Sequence, residues 1–403
     1  MKKRIGIVFG TRPDAIKMAP VILELRAHPD EFETVAISTG QHRQMLDQVL
    51  QAFEVGADFE LDLMRHNQSL SGLTRRVLEA MDTLLTENPL DCLLVQGDTT
   101  TAFAAALAAF YKKVPVAHVE AGLRSGDILQ PWPEEANRRL AGVVTQLHFA
   151  PTPRARENLL AEAVPGKDVV VTGNTIVDAV ERLLEMHSIE HPLPEGVPDD
   201  GSQIVLVTSH RRESWGTELQ NICDALVQLV ERFPKIRVVY PVHLNPNVRS
   251  TVEARLGNRD RVHLIPPVDY FQFLSLLRRC HLVLTDSGGV QEEAPIFHKP
   301  ALVLRNVTER PEAVQMGMAR IVGTARELIV REASRLLSNQ FAYDSMASGD
   351  CPYGDGLAAA RIATALSRWL DGEQPVLCES EQFQGAQDNT RTNVPVRNVQ
   401  LAV

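Results

Sequence analysis

The chain has 403 residues, 44% hydrophobic and 23% charged, the balance of a soluble globular protein with room for two domains of about 100–200 residues. Its formal net charge of −10 argues against broad binding to nucleic acid or an anionic membrane, and leaves only local basic pockets at Arg138–Arg139 or Arg211–Arg212. Five scattered cysteines without a CxxC pair argue against a disulfide framework or a structural zinc site. No apolar run reaches the roughly 18 residues of a membrane span, so a cytoplasmic protein is expected.

Taken in order, short apolar runs rich in β-branched residues predict strands at 4–9, 34–38, 91–96, 114–119, 147–150 and 169–172. Helical patterns fill the gaps, as at 70–86, 100–111 and 133–144. Strands apolar on both faces and separated by helices predict a parallel sheet. The stretch 187–202 carries three prolines and two glycines without periodicity and reads as a linker. The alternation then restarts at 203–208, 237–240, 262–265, 281–285 and 301–304. The expectation is therefore α/β: two doubly wound Rossmann-like domains, 1–186 and 203–356, with a cleft between them. A last amphipathic helix spans 357–370, and the polar tail 371–403 is expected to be disordered.

Unusual polar clusters sit just after these strands, where a doubly wound sheet holds its ligand. Gly10–Lys17 follows the first strand and offers Arg12 and Lys17 as cations. It contains neither GxGxxG nor GxxxxGK[ST]. Asp98 and Glu120 close two further strands. Glu134 opens a helix four residues before Arg138, a spacing that also suits an ion pair along one helix face. Each carboxylate alone reads as a cap or an ion-pair member. Three of them at ligand-side positions argue for acid/base chemistry, because crowded carboxylates push one another's pKa values apart.

In the second half His210 follows a strand beside Arg211 and Arg212, an electropositive setting for an anion-site histidine. His243 and Arg310 occupy comparable strand-end positions. The stretch 282–295, LVLTDSGGVQEEAP, reads as a buried strand, a turn and a helix opening at Val290. Gly288 and Gly289 allow close backbone approach. The helix N-terminus suits a phosphate, and Glu292 or Glu293 lies within reach of ribose hydroxyls.

At these residues the chain closely resembles the non-hydrolysing UDP-N-acetylglucosamine 2-epimerases. The matching stretches include GTRPDAIKMAP (10–20), TGQHRQMLDQ (39–48), GDTTT (97–101), HVEAGLRSGD (118–127), PWPEEANRR (131–139), TSHRRESWG (208–216), TDSGGVQEEAP (285–295) and PYGDG (352–356), in order along the chain. The resemblance implies a glycosyltransferase-B-like fold in which helix 357–370 crosses back to the first domain. It implies reversible interconversion of UDP-GlcNAc and UDP-ManNAc through 2-acetamidoglucal and UDP, with no nicotinamide or metal in the chemistry, for cell-surface polysaccharide synthesis. On it, Asp98, Glu120 and Glu134 match the acid/base carboxylates, with donor and acceptor not assigned. His210, Arg12, Ser287, Gly288 and Gly289 match the diphosphate contacts, and His210 counts with the catalytic set. Glu293 matches the ribose contact, and Lys17, Arg138, His243 and Arg310 match other cleft residues.

The family likeness also implies a homodimer. In some bacterial members a second UDP-GlcNAc binds as an activator through residues like Gln41, His42 and Gln44. Hyperbolic kinetics from UDP-ManNAc alone would exclude that here. An epimerase of a modified UDP-sugar and a hydrolysing relative stand as alternatives. A non-catalytic nucleotide-sugar sensor does not need all three carboxylates.

Overall fold

A computed structural model describes residues 2–40, 43–65, 68–186, 192–211 and 214–386. The first half alternates β1 (Lys3–Phe9), α1 (Arg12–Ala27), β2 (Phe32–Ser38), α2 (Arg43–Ala52), β3 (Phe59–Glu60), α3 (Leu70–Glu87), β4 (Cys92–Gln96), α4 (Thr100–Tyr111), β5 (Val116–Val119), α5 (Glu134–Val144), β6 (Leu147–Ala150), α6 (Pro153–Ala161), β7 (Val169–Val171) and α7 (Thr175–Met186). The second continues with β8 (Gln203–Thr208), α8 (Thr217–Arg232), β9 (Ile236–Pro241), α9 (Pro246–Leu256), β10 (Val262–Ile265), α10 (Tyr270–Arg279), β11 (Leu282–Thr285), α11 (Gly288–Ile296), β12 (Ala301–Val303), α12 (Pro311–Gln315) and β13 (Ala319–Ile321). It closes with α13 (Arg326–Ser338), α14 (Gln340–Met346) and α15 (Ala358–Leu370).

Two parallel sheets result, in the orders β3-β2-β1-β4-β5-β6-β7 and β10-β9-β8-β11-β12-β13. This is the doubly wound α/β architecture expected from the strand pattern. Successive residues of β1 face opposite sides of its sheet: Ile5, Ile7 and Phe9 pack under α1, and Val8 packs toward α3 and α4. Both faces are covered, so the strands need no polar alternation. Six buried alanines let α4 lie close to its neighbours. β3 and β13 escape the periodicity reading because they are two and three residues long.

The strand order reverses between β1 and β4 in one sheet, and between β8 and β11 in the other. Neighbouring crossovers leave in opposite directions there and open a crevice at the carboxyl ends of the strands. The loops 10–12, 97–98, 209–210 and 286–287 emerge at these four strand ends. α15 packs on α1 and α7, and Lys3 Nζ reaches Ser367 Oγ at 2.8 Å and Asp371 at 2.7 Å.

The tail departs from expectation. Over residues 371–386 it is ordered, with Val376, Leu377 and Phe383 buried. Phe383 N–H donates to Val171 O at 2.9 Å, and Gln382 Oε1 accepts from Val171 N–H at 3.0 Å, which covers the free edge of β7. Three apolar residues dispersed in a polar context carry no periodic signal, and what orders them is a tertiary contact. Residues 387–403 lie outside the described residues.

Candidate active site

The strongest feature is a buried ionic lattice joining both sheets. Lys17, one turn into α1, bonds the Glu120 carboxylate and lies 2.8 Å from Glu292 on α11. Arg310 Nε donates to Glu292 Oε1 at 2.6 Å and its Nη1 to Glu309 Oε1 at 2.6 Å. Glu309 also takes Arg305 at 3.0 Å. Burial works to lower the Lys17 pKa, but Glu120 and Glu292 outweigh it and hold the ammonium charged. The two carboxylates then diverge. Burial pushes Glu120 up with Glu292 adding to the rise, whereas Arg310 and Lys17 overcome burial and hold Glu292 down. Glu120 is thus the member closer to accepting a proton. Its backbone has φ 64°, the left-handed region that a non-glycine residue occupies only at a local energetic cost. Asn174 Nδ2 donates to Glu120 Oε2 at 3.2 Å. Glu292→Ala would leave Lys17 and Arg310 as buried cations short of a partner. A loss of about 3–5 kcal/mol is expected in urea unfolding.

Asp98 closes β4 and Glu134 opens α5, which brings them to one wall. The expected Glu134–Arg138 pairing along the helix does not form. Arg138 turns instead to the Asp98 carboxylate and, at 2.9 Å, to Glu135. One partner, Glu135, is three residues away on the same helix, and the other, Asp98, comes from the β4 loop, which helix spacing does not reach. Glu134 Oε2 is consequently buried without a hydrogen-bond partner. Burial raises the Glu134 pKa, and Asp98 raises it further against Arg211 and Arg138. The Asp98 turn is held from behind by Asn137 Nδ2 on Asp98 O (3.0 Å) and by buried His118 Nε2 on Gly97 O (2.7 Å). Burial lowers His118 to about 4, so it stays neutral.

Across the crevice Asp286, wholly buried, ties the β8 and β11 loops together. It accepts from Ser209 Oγ (2.9 Å), His210 N (2.9 Å) and Arg211 N (3.0 Å). His210 is thereby presented at the rim with Nδ1 3.5 Å from Asp286, its ring stacked on His243 at 5.7 Å between centroids. Loss of water lowers its pKa, and Arg211, His243 and Arg12 add to that against Asp286, so the imidazole is neutral near pH 7. The helix after β11 begins at Gly288, two residues before the expected Val290, with Ser287 as a cap that makes no side-chain cap bond. A Cβ on Gly288 would lie 2.8 Å from Arg310 Cζ, whereas one on Gly289 would meet only Ser287 Oγ at 4.0 Å. Arg12 lines a cavity of about 310 Å³ with Asp269, Tyr270 and Phe271.

Glu293 accepts from Tyr270 Oη at 2.8 Å, and burial pushes its pKa up to about 7. The stability tied to its protonated form is fully present below the ordinary value of 4.5 and is lost as pH rises through about 7. Glu293→Gln is therefore expected to melt several degrees above the parent at pH 8 and level with it at pH 4.5. Thermal scans at both values check this.

All four residues taken as catalytic and the nine taken as substrate-binding fall at or beside the ligand-side ends of the two sheets. Gln41 and His42 lie outside the described residues, as does the side chain of Gln44. Reading the sequence missed Glu309, Tyr270, Asp286 and Asn174, and it gave Glu292 no role in an ion network. Glu292 and Glu309 were visible as acids within recognised motifs. The partners of Glu292, Lys17 and Arg310, come from another sheet and another loop, whereas Glu309 pairs within its own loop with Arg305 and Arg310. Among the described residues no cluster of three potential metal ligands occurs, and no helix is long and apolar enough to cross a membrane.

The sequence profile of the UDP-N-acetylglucosamine 2-epimerase family matches residues 23–367. The chain is 49% identical over 369 residues to the UDP-N-acetylglucosamine 2-epimerase of Yersinia pestis, covering 90% of this chain and 98% of that one. A crystal structure of the Neisseria meningitidis UDP-GlcNAc 2-epimerase bound to UDP-GlcNAc superposes with a TM-score of 0.86 at 46% identity, over 90% of this chain and 99% of that one. The Staphylococcus aureus MnaA–UDP co-structure gives 0.85 at 40% identity, over 95% and 99%.

Proposed function

Since the chain belongs to the UDP-N-acetylglucosamine 2-epimerase family, we propose that it reversibly inverts C2 of UDP-GlcNAc to give UDP-ManNAc by eliminating and re-adding UDP. One carboxylate takes the C2 proton, the C–H electrons form the C1=C2 bond of 2-acetamidoglucal, and the C1–O bond breaks with its pair on the UDP β-phosphate. UDP then returns to C1 while C2 receives a proton on its opposite face. Two proton-transfer groups on two sides of the sugar are required, and each is typically worth about 10²–10⁴ in rate.

The observation that carries this reading is two buried carboxylates, both raised by burial, held by different contacts at one crevice. Glu120 is bound to Lys17 within the ionic lattice, while Glu134 has an unpartnered buried oxygen beside Asp98. Acids in unlike surroundings are what a proton-out, proton-in reaction uses. His210, Arg12 and the N–H groups at 287–289 stabilise the charge that develops on the departing diphosphate. Glu293 holds the ribose. The two sheets act as two domains closing on the sugar, and the site lies in the cytoplasm with the nucleotide-sugar supply. The enzyme acts as a homodimer. Exposed Phe110 and Tyr111 on α4, with Leu140 and Val143 on neighbouring α5, are the apolar surface that supports this. Incubation with UDP-GlcNAc followed by proton NMR tests the activity. UDP-ManNAc at equilibrium with substrate is the expected result, and free ManNAc with UDP would replace this reading by hydrolysis.

A further inference from the structure

Glu134 and Glu135 are adjacent in sequence but lie in unlike settings. Glu134 keeps an unpartnered oxygen beside Asp98, whereas Glu135 is 0% exposed and fully bonded. Its carboxylate accepts from Arg138 Nη1 at 2.9 Å, Arg139 Nε at 3.0 Å and the Ser125 N–H at 3.1 Å. Arg138 is itself buried, and its other terminal nitrogen donates to Asp98. One guanidinium therefore spans two carboxylates, and its plane is fixed because both ends are held. Arg139 balances the negative charge of Glu135 as Arg138 balances that of Asp98, so the chain Asp98–Arg138–Glu135–Arg139 is neutral by formal charge. The Ser125 bond fastens the first turn of α5 to the loop that leaves β5, the loop that also carries Glu120. The same turn supplies Asn137 to the Asp98 carbonyl.

We propose that Glu135 is a positioning residue for the reaction: by clamping Arg138 it fixes where the Asp98 carboxylate stands relative to sugar C2. The inference rests on Asp98 being a proton-transfer group. Without Glu135, Arg138 keeps one anchor and can swing with Asp98 as a unit, and a displacement of about 1 Å at a reacting group costs on the order of a hundredfold in rate. The alternative is a buried ion pair that serves stability alone.

The test is Glu135→Gln, which keeps size and removes charge, compared with Arg138→Met and the double variant. For Glu135→Gln, kcat is expected to fall roughly tenfold to a hundredfold, with KM and the UDP dissociation constant within about twofold of the parent. The double variant is expected to be no slower than Arg138→Met, because Glu135 acts through Arg138. An unchanged kcat, or a double variant slower than Arg138→Met, overturns the proposal. If Glu135→Gln does not fold, the double variant decides alone, since it removes the two buried charges together and leaves only the partly exposed Asp98 and Arg139 without those contacts. A wild-type rate for Asp98→Asn instead defeats the reading of Asp98, and this inference falls with it.

Discussion

Asp98→Asn is expected to slow epimerisation by about 10²–10⁴ while leaving UDP affinity within a few-fold of the parent. Asparagine keeps the shape of the side chain and can neither take nor give the proton. The turn that presents it survives, because Asn137 and His118 hold the backbone oxygens of Asp98 and Gly97, and those atoms are unchanged. Arg138 loses one carboxylate but keeps Glu135 at 2.9 Å, so no buried charge is stranded. The residues assigned to UDP lie mostly across the crevice on the β8 and β11 loops and gain or lose nothing directly. Turnover by NMR and UDP binding by calorimetry separate the two effects. A variant that turns over normally removes Asp98 from the proton chemistry, and one that no longer binds UDP makes it a binding residue.

Gly289→Val is expected to do the reverse at the other wall: to weaken UDP binding on the order of a hundredfold, about 2.8 kcal/mol, with little loss of stability. A side chain here starts in open space over the first turn of α11, with only Ser287 Oγ at 4.0 Å. On the proposed placement of the diphosphate it occupies the volume in front of the helix N-terminus, and it displaces nothing in the protein. Gly288 is the informative contrast. A methyl there meets the Arg310 guanidinium at 2.8 Å, and that group is pinned by Glu292 and Glu309. Gly288→Ala should thus lower stability by disturbing the lattice, so the two neighbouring glycines serve different ends. Calorimetry on Gly289→Val beside thermal melts of both variants distinguishes them. Unchanged UDP affinity in Gly289→Val would place the diphosphate elsewhere.

The strand-end positions of Asp98, Glu120 and His210 were legible because a doubly wound sheet exposes the residue after each buried run, and the runs are strongly apolar. Their partners were not. Lys17 and Glu292 are separated by 275 positions and meet only because α1 and α11 reach the same crevice from different sheets. Arg138 shows that spacing alone leaves the partner open. Its place on the helix suits Glu134 at i−4 and Glu135 at i−3, and it pairs with Glu135 and with Asp98 from another element. The ordered strap after Asp371 was missed for a similar reason. Three apolar side chains and a free sheet edge stabilise it, and neither leaves a periodic mark in the sequence.

In the proposed mechanism the C2 proton leaves and returns during turnover. Incubating the enzyme with UDP-GlcNAc in D₂O and following the sugar by NMR tests it most directly. UDP-ManNAc is expected to appear with deuterium at C2, and deuterium is also expected to enter the remaining UDP-GlcNAc as the reaction reverses. Formation of UDP-ManNAc that retains protium at C2 would contradict it.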